Sequence, residues 1–159
     1  MALTYVTHVR ISYGTQSVVA CFPGIRVRHF LWNTVTPMDT SSFQQWLDAY
    51  RSAWCSRNPS AAAALYATDG TYQVTPFLEP LRGSQAILDY WTEITRTEEN
   101  ISFAYEILTV TEQFGIAHWH ASFVHTPPGL PTKLDGIFLI RLNAEGKCTS
   151  LREWWHKQQ

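Results

Sequence analysis

Four long segments in the second half of the chain have the character of β-strands, and they restrict the fold more than any other feature. They lie at about residues 101–111, 116–125, 132–142 and 147–156. Short turns at 112–115 and 143–146 connect neighbouring segments, and Gly146 suits the left-handed position of a hairpin turn. Residues 126–131, TPPGLP, are predicted to be a loop, because proline cannot donate to a strand ladder. We therefore predict a meander of four antiparallel strands.

The first of three predicted helices starts near residue 41. Ser41 with Gln44, or Ser42 with Gln45, forms a capping box. Its apolar residues then recur at helical spacing, at Phe43, Trp46, Leu47, Tyr50 and Trp54.

Two further helices and a short strand complete the pattern. Asn58-Pro59 supplies a cap and a first-turn proline for a helix that runs to Tyr66 and ends in a turn at Asp69-Gly70. A short strand follows at residues 71–74, and Gly83-Ser84 opens a third helix. Helices followed by an antiparallel sheet predict an α+β domain in which the helices cover one face of the sheet.

Composition excludes several classes of function. The 159 residues are 45% hydrophobic with a net charge of −1, which fits one compact domain. The absence of a basic run argues against a nucleic-acid partner, and no apolar run approaches the roughly 20 residues of a membrane span. Three widely spaced cysteines predict no disulfide framework and favour a cytoplasmic location.

Residues 1–37 differ in composition from the rest, with Arg10, Arg26 and Arg28 but neither Asp nor Glu. One interpretation is a targeting segment of the mitochondrial type. The other is that translation begins at Met38. Both place these residues outside the fold, so that the predicted domain covers residues 38–159.

The order of elements, together with the segments ALYATDGTY, PFLEPLRGSQAILDYW and LDGIFLIRLNAEGKCTSLREWW, resembles the nuclear transport factor 2-like superfamily, and more closely its SnoaL-like branch. The resemblance implies a cone-shaped domain in which three N-terminal helices pack on a curved, mostly antiparallel sheet and enclose an apolar pocket. The superfamily includes isomerases, cyclases, dehydratases and proteins that only bind, so the fold alone does not name an activity.

The ketosteroid isomerases of this superfamily suggest two candidate site residues. The resemblance places Tyr50 and Asp135 at the positions of their oxyanion-binding Tyr and Asp. The catalytic base of that pattern is missing, because residues 74–76 read Val-Thr-Pro. Polyketide cyclases of this fold use an acid elsewhere in the cavity, which directs attention to Glu153.

Glu153 lies in the segment LREWWH, residues 151–156, where alternation puts it on one face with Leu151 and Trp155. If Asn143 pairs with Lys147 across the turn, then Asp135 and Glu153 become diagonal neighbours, about 7–8 Å apart. Such a pair is expected to raise at least one pKa and to act as a general acid and base. The alternative is that both carboxyl groups are permanently paired in the structure.

The predicted site combines catalytic residues with an apolar wall. The catalytic candidates are Asp135, Glu153 and Tyr50. The predicted pocket residues are Trp54, Tyr72, Val74, Trp91, Trp119, Ile137, Leu151 and Trp155. Large rings in such numbers favour an apolar or aromatic ligand.

His118 and His120 flank Trp119 in a strand, and a His-x-His pair is a known way to present two imidazoles to a metal. If Trp119 points inward, both histidines point to the outer face, which is commonly a dimer surface in the family that the chain resembles. We predict no metal site there. The exposed Trp154 on the same face predicts a homodimer.

Three hypotheses for function follow. The first is an isomerase, cyclase or dehydratase that needs no cofactor and transfers protons on an apolar or polyketide-like substrate. The second is a binding protein for a small apolar ligand, and the third is a dimeric scaffold or interaction domain.

Overall fold

A computed structural model describes residues 38–158 of the chain. It contains three helices: α1 (Thr40–Cys55), α2 (Pro59–Ala63) and α3 (Gly83–Thr97). The prediction for residues 1–37 lies outside the described residues and stays a prediction.

The start of α1 differs from both predicted capping boxes. Asp39 is the N-cap, and its carboxylate accepts a 2.7 Å hydrogen bond from the backbone N–H of Ser42. The Ser42 hydroxyl in turn accepts from the backbone N–H of Asp39 at 3.1 Å. Ser42 is therefore the third helical residue and not the cap, because the Asp39 carboxylate satisfies the free amide more strongly than a hydroxyl would.

The cap of α2 is the predicted one. The Asn58 side-chain oxygen accepts from the backbone N–H of Ala61 at 2.9 Å, and Pro59 occupies the first turn. The helix ends at Ala63, earlier than predicted, because Tyr66 already begins the first strand.

Six strands form one open sheet. They are β1 (Tyr66–Gln73), β2 (Leu81–Arg82), β3 (Glu98–Val110), β4 (Gly115–His125), β5 (Leu130–Leu142) and β6 (Cys148–Lys157). Their order is β2-β1-β6-β5-β4-β3, and all neighbours are antiparallel except β1 and β6. The α+β class and the mostly antiparallel sheet are thus confirmed.

One turn prediction is wrong, and the loop predicted at residues 126–131 is shorter than expected, at 126–129. Asp69-Gly70 lies within β1, where the pairing with β6 shifts between Tyr66 and Thr71, and does not end a helix. A β-carbon on Gly70 would lie 2.8 Å from the carbonyl oxygen of Cys148, so this glycine serves a close approach of two strands. The strand β5 begins at Leu130 and includes Pro131 near its start, where proline is tolerated.

The β5–β6 hairpin contains an irregularity that decides which side chains of β5 lie on the same sheet face as Glu153. Asn143 donates its backbone N–H to Lys147, as expected, but the register shifts between Arg141 and Leu142. Glu153 therefore lies opposite Phe138, and Ile137 lies opposite Trp154. Because a shift of one residue exchanges the two faces of a strand, the predicted partners of Glu153 in β5 point to the other side.

Aromatic residues dominate the core between the helices and the inner sheet face. Tyr50 of α1 packs on Trp91 of α3 and on Phe103 and Phe138 of the sheet, with ring centroids 5.3–5.5 Å apart. Such edge-on and tilted contacts are favourable for aromatic pairs. None of the helices in residues 38–158 is long and apolar enough to cross a membrane.

Candidate active site

A cavity of about 230 Å³ opens between the helices and the inner face of the sheet. Rings form most of its wall: Tyr50, Trp54, Tyr72, Tyr90, Trp91, Trp119, Phe123 and Trp155. Two carboxylic acids, Glu98 and Glu153, also line it. Since acidic side chains are seldom buried without a cation partner, these two residues are the unusual feature of the cavity.

Glu153 is only 4% exposed, and its carboxyl group accepts a 2.8 Å hydrogen bond from the Tyr72 hydroxyl. Burial raises the pKa of Glu153 to about 8, while the hydrogen bond from Tyr72 acts in the opposite direction. The carboxyl group therefore carries its proton at pH 7. A protonated carboxylic acid with a value so close to neutrality can both donate and accept a proton.

Three tyrosines surround this acid. Burial raises the pKa of Tyr50, Tyr72 and Tyr90 above the ordinary value, and hydrogen bonding to Tyr72 acts in the opposite direction at Tyr50 and Tyr90. All three hydroxyls therefore stay protonated near neutral pH. They form a set of donors next to Glu153, which suits the stabilisation of a developing negative oxygen.

Glu98, the first residue of β3, is 3% exposed and accepts a 2.8 Å hydrogen bond from the indole N–H of Trp54. Burial raises the pKa of Glu98 to about 7, with the Trp54 hydrogen bond acting in the opposite direction. Its negative charge and that of Glu153 both raise the pKa values of Tyr50 and Tyr90. The two tyrosines thus lie within the influence of both carboxyl groups.

Glu98 was not predicted from the sequence, because strand alternation points to the wrong neighbour at this position. Counting back in steps of two from the buried Phe103 would place Glu99 inside. The pairing of β3 with β4 shifts between Glu99 and Ser102, and Asn100 adopts a positive φ of 54°. This bulge turns Glu98 inward and leaves Glu99 exposed. Only the position of the acid directly after a helix could have signalled an unusual site.

No cation neutralises the two acids within residues 38–158. Ion pairs in this range form on other residues, such as the one between Arg96 and Glu93. His125, the cross-strand partner of Glu98, and Lys157 also line the cavity, but neither is within salt-bridge distance of an acid there. The buried carboxyl groups therefore depend on their hydrogen bonds and on protonation.

The predicted pairing of Asp135 with Glu153 is wrong. Asp135 lies on the outer sheet face, where its side chain is 67% exposed and contacts Nε2 of His118 at 3.0 Å. The bulge at Arg141 and Leu142 is the physical reason, since it sends the two acids to opposite faces. Ile137 likewise faces outward, opposite Trp154.

The other predicted residues fall into two groups. Leu151 is fully buried in the core and does not line the cavity. The cavity does contain Tyr50, Trp54, Tyr72, Val74, Trp91, Trp119, Glu153 and Trp155. The carbonyl oxygen of Val74 accepts a 2.9 Å hydrogen bond from the Trp155 indole, which joins β1 to β6 beside the cavity.

The outer face carries His120, Asp135 and His156 in one row across three strands. Three or more His, Cys, Asp or Glu side chains do not come together in a metal-binding arrangement anywhere in the described part of the chain. Trp154 on this face is 37% exposed and lies beneath the guanidinium of Arg152, 5.0 Å from the ring centroid.

A family model described as a SnoaL-like domain matches residues 44–151. This range begins within α1 and ends within β6, so it includes Tyr50 and Glu98 and stops two residues before Glu153. No curated protein matches the sequence significantly.

Solved structures with the same fold include enzymes and proteins without a stated function. The epoxide hydrolase/cyclase-like enzyme SalBIII, linked to pyran ring formation in the polyether salinomycin, is 14% identical with a TM-score of 0.66, over 74% of this chain and 93% of that one. A proposed isomerase of Bacillus subtilis is 17% identical with a TM-score of 0.67, over 75% and 90%. A hypothetical ketosteroid isomerase-like protein of Catenulispora acidiphila, in complex with trimethylamine, is 19% identical with a TM-score of 0.61, over 69% and 84%. These likenesses establish the nuclear transport factor 2-like fold.

Proposed function

Because the chain belongs to the SnoaL-like domain family, whose fold hosts isomerases and cyclases, we propose that it is an enzyme that transfers a proton on a small molecule held in the aromatic cavity. Isomerisation, cyclisation and dehydration are the reactions that such chemistry serves. The proposed reaction needs no cofactor. Glu153 is the proposed general acid and base.

One observation carries this proposal. Glu153 is buried in the cavity wall, accepts a hydrogen bond from Tyr72, and makes no ion pair within residues 38–158. A structural carboxylate would normally have a cation or several donors around it, which would hold its pKa low. The raised pKa of Glu153 instead keeps a transferable proton at neutral pH.

The residues around Glu153 define a simple proton cycle. Its carboxyl group donates a proton to a leaving or carbonyl oxygen of the substrate, and the resulting carboxylate accepts a proton from carbon or from an attacking hydroxyl. The hydroxyl of Tyr50 or Tyr90 donates to the oxygen on which negative charge develops. The proton that Glu153 accepts restores its carboxyl group to the starting state, and no proton is gained or lost overall.

The absence of an acid at residues 74–76 is consistent with Glu153 as the general acid and base. The ketosteroid isomerase route uses a base at the end of the first strand, where this chain has Val74 in the cavity wall. An acid on β6 then serves as the proton carrier in its place, from the same cavity but from another strand.

The size of the cavity favours a small substrate. Pockets that take drug-sized ligands measure roughly 300–1,000 Å³, and this cavity has about 230 Å³. A substrate with a single ring or a short chain fits the proposal better than a multi-ring polyketide.

The test is a comparison of Glu153→Gln with wild-type protein over a panel of small ketones, epoxides and hydroxy ketones. Glutamine keeps the size of the side chain and an acceptor for Tyr72 but cannot transfer the proton. We expect turnover to fall by roughly 10²–10⁴-fold, the usual contribution of a general acid or base. Glu145→Gln, in the exposed turn before β6, is the matched control and should keep full turnover.

Unchanged turnover in Glu153→Gln would refute the role of Glu153. A panel compound that binds the wild-type cavity tightly and is recovered unaltered would support the alternative of a binding protein without catalysis.

A further inference from the structure

The cavity has a second end, centred on Glu98, that the proposed proton transfer does not use. The Trp54 indole donates to the Glu98 carboxyl group, and Trp54 also contacts Trp91, Trp119 and Phe123 with ring centroids 6.0–6.4 Å apart. All of these residues line the cavity. Their rings stand at 51–77° to the Trp54 ring, so the aromatic faces surround this end from several directions.

The charges around the cavity as a whole are asymmetric. Its buried ionisable groups are the acids Glu98 and Glu153 and the tyrosines Tyr50, Tyr72 and Tyr90, none of which can be positive. The basic side chains in the cavity lining are His125 and Lys157, and both are more exposed than the acids. Aromatic faces add negative potential, because the π-electrons of each ring lie above and below its plane.

We propose that the substrate of this protein carries an aliphatic ammonium group, which is bound beside the Glu98 carboxylate and against the Trp54, Trp91 and Trp119 rings. This inference rests on the proposed function and names the class of its substrate. It divides the two acids by role, with Glu98 as the charge anchor and Glu153 as the proton carrier.

A bound cation offsets the cost of burying the Glu98 carboxylate. A carboxylate without a cation in an apolar cavity is unfavourable and takes up a proton. Burial raises the pKa of Glu98 to about 7 for this reason. An ammonium group replaces that proton with an ion pair, and its methyl or methylene groups contact the indole faces, which favour cations over neutral groups of equal size.

A neutral ligand lacks both gains. It leaves Glu98 protonated and makes only dispersion contacts with the rings. Selectivity for a cation over its uncharged isostere is therefore the direct measure of the proposal.

The experiment uses the full chain and follows tryptophan fluorescence during titration with tetramethylammonium, choline and 3,3-dimethylbutan-1-ol. The alcohol has the shape of choline with carbon in place of the charged nitrogen. At equal ionic strength we expect choline to bind at least about tenfold more tightly than the alcohol. Equal affinity, or no saturable binding of either cation, would overturn the proposal.

Variants separate the role of Glu98 from the integrity of the cavity. Glu98→Gln should lose most of the preference for choline while it still binds the alcohol. Glu99→Gln is the matched control, because Glu99 is the exposed neighbour that makes a 3.7 Å contact with Arg57, and it should keep the preference. If Glu98→Gln also keeps it, Glu98 is not the anchor.

The dependence on pH supplies an independent readout that does not require turnover. Choline should bind more tightly as the pH rises from about 6 to 8, because Glu98 loses its proton in this range. His125→Gln should preserve the dependence and Glu98→Gln should weaken it. If choline binding by the wild-type protein does not change with pH, the ammonium class is refuted. If Glu153→Gln then still loses turnover of neutral compounds, the proposed enzyme remains intact.

Discussion

The Tyr72 hydroxyl donates to the Glu153 carboxyl group across the boundary between β1 and β6, the two strands of the sheet that run parallel. Two residues that are 81 positions apart in the chain are therefore joined by one hydrogen bond. This contact ties the chemistry of the proposed acid to the correct assembly of the sheet.

Replacement of Tyr72 by phenylalanine tests this contact. Because the hydrogen bond lowers the pKa of Glu153, Tyr72→Phe should raise that pKa further. The loss of a donor to a buried polar group should also cost roughly 1–3 kcal/mol of stability. Carboxyl NMR of Glu153 measures the pKa, and urea unfolding measures the stability. A lower pKa in the variant would contradict the hydrogen bond.

The stability of the domain should depend on pH through its two buried acids. Burial raises the pKa values of Glu153 to about 8 and of Glu98 to about 7, so the folded state retains protons that the unfolded chain releases above its ordinary value near 4.5. This contribution is fully present below pH 4.5 or so and is lost as the pH rises through about 7 and 8. The free energy of unfolding should fall by roughly 3–5 kcal/mol over that range through Glu153.

Urea unfolding at a series of pH values checks this expectation. Glu153→Gln should flatten the decline, and Glu145→Gln should follow the wild-type curve. Parallel curves for wild type and Glu153→Gln would show that Glu153 does not hold the extra proton.

Asp135→Asn should affect the cavity little. Asp135 contacts His118 on the outer face, and an exposed pair of this kind contributes about 0–1 kcal/mol. Choline binding and turnover by the variant should match those of wild type, whereas Glu98→Gln or Glu153→Gln should not. A large loss of either property in Asp135→Asn would contradict the strand register.

Gly136→Ala should be strongly destabilising. A β-carbon at this position would lie 2.5 Å from the carbonyl oxygen of Trp154 and 2.8 Å from the β-carbon of Trp155, so the backbone of β6 would have to move. Gly146→Ala is the comparison, because Gly146 has a positive φ of 73° but open space around it and should cost only about 1 kcal/mol. Equal melting temperatures for the two variants would argue against close contact at Gly136.

The outer face is the proposed site of a homodimer. Trp154 is partly exposed there, covered on one side by Arg152, and a second copy would bury the ring. Sedimentation velocity at micromolar concentration should show a dimer, and Trp154→Ser should shift it toward monomer. A wild-type chain that sediments only as monomer would contradict this proposal.

Local signals in the sequence predicted most of the fold. Asn58-Pro59 marked the start of α2, and the spacing of rings from Phe43 to Trp54 marked the buried side of α1. These signals are readable because a cap or a helical stripe involves residues close together in the chain. The inward direction of Glu153 was predicted in the same way, from alternation within one strand.

The candidate site was predicted less well, because two strand irregularities decide which acids it contains. One shift near Arg141 removes Asp135 from the cavity, and another near Asn100 brings in Glu98. A bulge inserts a single residue into one strand and is defined only by how that strand pairs with its neighbour. Alternation counted along one strand cannot detect it.

The place of β6 between β1 and β5 has a consequence for how the domain forms during synthesis. Residues 148–157 leave the ribosome after every other strand of the sheet. Until then β1 and β5 face a gap one strand wide, about 10 Å between their backbones, and both present unpaired edges. The nascent chain is therefore open to wrong pairing at its centre until the strand that carries Glu153 is inserted, and completion of the sheet and completion of the proposed active site are one event.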